Sequence, residues 1–124
     1  MRKREDIRLE IERIDEQIKE YHSNIFELEE GYKIVKMDYN AIVEKAYIPQ
    51  KEYDLTPILA CGKEAYEQAE EYRSKITVAM EESLNDTLKF LSEVQTAIKN
   101  IQKEIEKCEN KKKALEAELN FFDK

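Results

Sequence analysis

Apolar residues recur along the first third of the chain at alternating steps of four and three: Ile7, Ile11, Ile14, Ile18, Tyr21, Ile25, Leu28, Tyr32, Val35, Tyr39, Ile42 and Ala46. All twelve positions are apolar or aromatic, although hydrophobic residues make up only 41% of the chain. Such a stripe is a heptad seam, one side of a helix prepared to be buried against a partner helix. It predicts helix over about residues 4–47. Gly31 lowers the helix propensity by about 1 kcal/mol but leaves the phase intact.

The last segment repeats the pattern through Leu84, Thr87, Leu91, Val94, Ile98, Ile101, Ile105, Cys108, Lys112, Leu115, Leu119 and Phe122. Upstream the stripe reads Ala65, Ala69, Tyr72, Ile76 and Met80. Two successive steps of four, from Ile76 to Leu84, predict a drift of phase there, with a bend or local unwinding. The run Ser83–Thr87 is weak in helix formers. A continuous helix over about 62–122 is the expectation, with a break at 83–87 as the open alternative.

Both prolines, Pro49 and Pro57, and one of the two glycines, Gly62, fall between these stripes. Proline inside a helix loses a backbone bond and clashes with the preceding turn, so 48–61 is expected to be a connector. The fold implied is all-α, an antiparallel two-helix hairpin that completes a bundle with a partner chain. Ile76, Met80, Leu84, Leu91, Val94, Ile98 and Ile101 would form the hairpin core with the first seam. A turn centred near Asp54 would set the acid-rich start, Glu5 to Glu20, against Lys99, Lys103 and Lys107; a merely solvated lysine ridge stays open as the alternative.

Two features point to surface left over for a partner. The second helix outruns the first by roughly 25 Å at 1.5 Å per residue, so positions beyond about 107, with Leu115, Leu119 and Phe122, would lack a cis partner unless the helix folds back. Ile34, Met37 and Ala41 form a second apolar line beside the first seam. The connector adds Tyr47, Ile48, Ile58, Leu59, Cys61 and Gly62, with Tyr66 just behind, as a Pro-braced apolar cap expected to join the docking surface.

Composition narrows the function. At 124 residues the chain is one domain's worth, and 40% charged residues with no tryptophan suit long helices. A net charge of −7 and a pI near 4.9 have the wrong sign for a phosphate-backbone binder, despite short basic runs at Arg2-Lys3-Arg4 and Lys111-Lys112-Lys113. No stretch approaches the ~18 apolar residues of a membrane span, and the start has acid and helical periodicity where a secretion signal has an apolar core. Cys61 and Cys108, roughly 70 Å apart along a continuous helix, are expected as free, small buried hydrophobes. His22 is the sole histidine, and there is no phosphate-binding glycine loop, so neither catalysis nor any cofactor is expected.

Ala60-Cys61-Gly62 at the bend, followed by Ala65 and Tyr66 at the head of a long helix, resembles the WxG-type (Esx-like) helical hairpins of type VII secretion. The length and layout are similar, more narrowly, to the YwqH-like accessory proteins of LXG toxins. Where that family carries Trp-x-Gly, this chain keeps only the glycine. Aromatic-to-acid pairs four residues apart, Phe26-Glu30 and Tyr66-Glu70, are as many as chance supplies, and Asp123 follows Leu119 instead of an aromatic. The resemblance implies a non-catalytic adaptor that binds the helical N-terminal domain of a toxin, beside a second small helical protein, and assists its export. It also implies a cytoplasmic location with co-export by a route that needs no signal peptide. Two other readings stay open: a homodimeric coiled-coil scaffold, and a prefoldin-like chaperone subunit, which needs β-hairpins between its helices.

Overall fold

The computed structural model describes residues 3–122; Arg2 of the first basic run and Asp123 lie outside them. The described chain is all-α: α1 spans Arg4–Ile42, a π-turn Val43–Tyr47, α2 Ile48–Glu52, a 3-10 turn Thr56–Cys61, and α3 Lys63–Phe122. No strand occurs among the described residues. It divides into two compact units, one of Met1–Gly31 with Val94–Lys124, the other of Tyr32–Glu93.

Each helix boundary has a local cause. At the start of α1 the Lys3 backbone N–H donates to Asp6 (3.4 Å), the reciprocal half of a capping box that satisfies a donor outside the helical ladder. Pro49, which we expected to end the helix, instead sits in α2. The π-turn before it widens the ladder, so that the Ile48 N–H reaches back five residues to the Val43 carbonyl. That extra residue accommodates a ring that would otherwise strike the preceding turn. Gly62 then has φ 110° and ψ 156°, a conformation essentially confined to glycine. Its carbonyl accepts the Tyr66 N–H and so begins α3.

α3 runs unbroken through Ser83–Thr87. There the Thr87 hydroxyl donates to the Ser83 carbonyl (3.0 Å), so the polar run is absorbed inside the helix. The two successive steps of four expected from Ile76 to Leu84 lie instead further upstream, at Ala69, Arg73 and Thr77, and the helix passes through them without a break. The inner face before Leu84 passes through Tyr66, Ala69, Arg73, Thr77 and Met80, all half-buried, while Tyr72 and Ile76 are exposed. The apolar residues misled the reading because two polar ones, Arg73 and Thr77, hold the inner positions.

In the first unit, Ile7, Ile14 and Leu115 form a buried cluster with Ile11, Ile18, Cys108 and Leu119 packed against it. Leu115 therefore has a cis partner, contrary to the overhang expected beyond residue 107. Leu119 is half-buried on the same cluster and Phe122 is exposed. The acid-rich segment meets Lys111, at 3.5 Å from Glu10, and Lys112, at 2.6 Å from Asp15, not Lys99, Lys103 or Lys107. These partners lie more than ten residues further along α3 than a turn at Asp54 would place them. Ile25 and Ile105 are also buried, and Tyr21, Leu28, Val94, Ile98 and Ile101 half-buried.

In the second unit the corresponding displacement has a visible origin. The Arg73 guanidinium donates to the carbonyl of Tyr53, so the chain leaving α2 is already level with a residue ten positions inside α3. At 1.5 Å per residue the connector doubles back over about 15 Å. Leu84 and Leu91 are the buried centre of this unit, flanked by half-buried Tyr32, Val35, Tyr39 and Met80. Ile42, expected in that core, is 47% exposed, as is Ile76.

Candidate docking surface

The second unit carries a groove of about 220 Å³ between two helical walls. Val35, Asp38, Tyr39 and Ile42 line it from α1, and Met80, Ser83, Leu84 and Thr87 from α3. The walls follow from spacing. Val35 and Ile42 are seven residues apart, and so are Ile76, Ser83 and Phe90, so each set recurs on one face of its helix. Ile76 and Phe90 flank the small Ser83 from two turns before and two turns after it, and Phe90 is half exposed. From Ile76 to Phe90 the wall runs about 21 Å, four turns of helix.

The groove is open because its middle is built of small side chains on α3 and its inner positions alternate with polar ones. The Thr87 hydroxyl, already donating to Ser83, needs no outside partner when water leaves. Ile42 on the α1 wall and Ile76 and Phe90 on α3 are each about half exposed, an apolar grouping of the kind that marks a contact surface.

The opposite side of the same helix pair is tied by polar contacts. The Tyr47 hydroxyl donates to the Glu81 carboxylate at 2.6 Å. That bond, with burial and the Glu81 charge, raises the phenol above its ordinary pKa, against an opposing pull from Lys51. In the connector the Thr56 N–H donates to Asp54 at 2.9 Å, and the hydrogen bonds from Thr56 hold the Asp54 carboxyl below its usual range. Tyr66 donates to Glu70 at 2.7 Å, which raises its phenol in turn. These are structural ties; they assemble no nucleophile, base and orienting group in one place.

The residues expected to bind a partner fall in several places. Ile34 is exposed and lies one turn before Asp38 on α1, outside the residues that line the groove. Met37 is 71% exposed, but at 100° per residue it lies about 160° from both Val35 and Tyr39, on the far side of α1. Ala41 is half-buried. Tyr47, Ile58 and Tyr66 are half-buried, while Ile48, Leu59, Cys61 and Gly62 are exposed. Cys61 thus departs from the buried position expected of it; Cys108 is half-buried, and both thiols are free. Tyr72 and Phe90 were missed as surface residues, and Ile42 and Ile76 were placed in the core. Tracking α3 backwards from Leu84 in strict three-four steps through Thr77 and Arg73 would have put Ile76 outside.

Among the described residues no group of three or more His, Cys, Asp or Glu is placed to hold a metal ion, and no helix is long and apolar enough to cross a membrane. Comparison with family models, curated proteins and solved structures finds no match to this chain.

Proposed function

We propose that this chain is a non-catalytic adaptor: an antiparallel helical hairpin whose groove in the second unit receives a helix of a partner protein and so completes a bundle. The cargo on this reading is the helical N-terminal domain of an LXG-type toxin, joined by a second small helical protein. Adaptor and cargo meet in the cytoplasm and are exported together without a signal peptide. The observation that carries the reading is the half-exposed apolar side chains of Ile42, which lines the groove, and of Ile76 and Phe90, which lie on the same α3 face before and after it. Full burial of such a side chain is worth about 1.5–3 kcal/mol, so covering the remaining half contributes about 1 kcal/mol from each. Against the prefoldin-like alternative, which requires β-hairpins between its helices, stands a connector of short helical turns without a strand.

Co-expression with a toxin N-terminal domain and its neighbouring small helical protein tests the proposal. The chain should co-purify with the toxin domain, and Ile42→Asp with Ile76→Asp should abolish capture while leaving the helical content unchanged. A chain that remains alone against every such domain ends the adaptor reading. A clean homodimer indifferent to them would make it a scaffold.

A further inference from the structure

Residues 43–61 carry both prolines and are bounded by irregular backbone, the π-turn Val43–Tyr47 at one end and the positive φ of Gly62 at the other. No residue between those ends is buried. Ile48, Tyr53 and Leu59 are each at least 40% exposed, so the segment gives up little apolar burial on leaving α3. Its ties to that helix are polar. The Tyr47 hydroxyl donates to Glu81, and the Arg73 guanidinium donates to the carbonyl of Tyr53, the C-cap of α2. The chain between these ties runs beside α3 from Glu81 back to Arg73.

The face of α3 beneath this segment holds it weakly. Its inner positions are Arg73 and Thr77, half-buried and polar, whereas the following turns bring in Leu84 and Leu91, both buried. Uncovering Arg73 and Thr77 returns polar groups to water and costs less than uncovering leucine. The root of the segment is loosely seated as well. A space of about 320 Å³ lies between Tyr39, Val43 and Tyr47 on one side and Glu81, Leu84 and Asn85 on the other. At the far end nothing lies within 4 Å of a Cβ built on Gly62, so no side-chain packing clamps that pivot. Segments with few buried apolar contacts and exposed polar ties open at lower free energy than the packed helices beside them.

We infer that residues 43–61 form a releasable strap, which swings off α3 as one piece about the π-turn and Gly62, with the Tyr47 and Arg73 hydrogen bonds as its two latches. Single-turn π-bulges are frequent at functional sites, and a hinge is made of the few residues that absorb a change of backbone angle. Opening bares two further turns of α3, from Met80 back to Arg73, about 10 Å along the axis. These turns continue the groove beside Ile76, which is already exposed. That consequence for docking rests on the adaptor reading; the opening itself does not.

Native-state amide exchange of the full chain, resolved by NMR over a series of low urea concentrations, tests the strap. The helical amides of 45–52 should share one protection factor, at least tenfold below that of the amides of 84–91, with a weaker dependence on urea. Tyr47→Phe and Arg73→Gln, made separately, should each lower that shared protection at least threefold and change 84–91 less than twofold. Strap amides that match 84–91 in protection and urea dependence overturn the inference, because the segment then opens only with global unfolding. So does a latch variant that lowers both sets equally or acts on adjacent amides alone, and so does a parent strap with no protection. Capture of the toxin domain is scored separately. Capture by a chain whose strap opens only globally removes this inference alone, and a strap that opens without capture removes the adaptor alone.

Discussion

Replacing Leu115 by alanine separates a cis-packed C-terminal segment from a free overhang. Leu115 is 4% exposed and shares its cluster with Ile7 and Ile14. Leucine-to-alanine changes in closed cores cost about 2–5 kcal/mol, more where the cavity cannot collapse. An interface between only two helical segments is open at its sides and relaxes, which favours the low end, about 2–3 kcal/mol. Unfolding entropy near 2.1 cal/mol/K per residue gives about 0.26 kcal/mol/K for a chain of this length, so Tm should fall by about 10 °C. Phe121, six residues further along α3 and 79% exposed, is the control. Its alanine variant should stay within about 0.5 kcal/mol of the parent, as exposed substitutions do. Thermal and urea unfolding followed by circular dichroism at 222 nm measures both at several protein concentrations. Equal, small shifts for the two variants would refute the cis packing of Leu115.

Gly31 lies within α1 with nothing inside 4 Å of an added Cβ, so Gly31→Ala should stabilise the chain by about 0.5–1 kcal/mol; a lower urea midpoint would contradict that. At Gly62, where φ is 110°, alanine should instead cost about 1–3 kcal/mol through backbone strain, although the space beside it is equally open. The raised pKa of Tyr47 makes its hydrogen bond to Glu81 a stabilising contribution that is whole below the unfolded tyrosine value near 10. It is lost as pH rises through the higher folded value. Tyr47→Phe should therefore reduce the alkaline loss of stability and remove one late-titrating phenol from the absorbance change at 295 nm; an unaltered titration would count against the bond.

The twelve-position seam of α1 made the helix legible because its spacing admits no other element, and the long final helix was equally plain. What escaped was decided by contacts between distant residues. A π-turn let Pro49 remain helical, and no local rule of sequence announces that accommodation. The connector's return beside α3 depends on the Arg73 guanidinium finding the Tyr53 carbonyl, twenty residues away, and that return sets which residues of α3 meet α1. Once that register moved, Leu115 passed from expected overhang to buried cluster. Arg73 and Thr77 kept the heptad phase with polar side chains, which made Tyr72 and Ile76 look like seam residues. The groove emerged from the same error, since Ile42 and Ile76 were apolar enough to be taken for core.

Solvent exposure of individual isoleucine methyls, read by NMR as broadening from a dissolved paramagnetic probe, tests the docking surface most directly. With the chain alone, Ile42 and Ile76 should broaden strongly while Ile7 and Ile14 remain sharp; on adding a captured helical partner, Ile42 and Ile76 should become protected. Protection of both in the free chain, or continued broadening in a formed complex, would contradict the account.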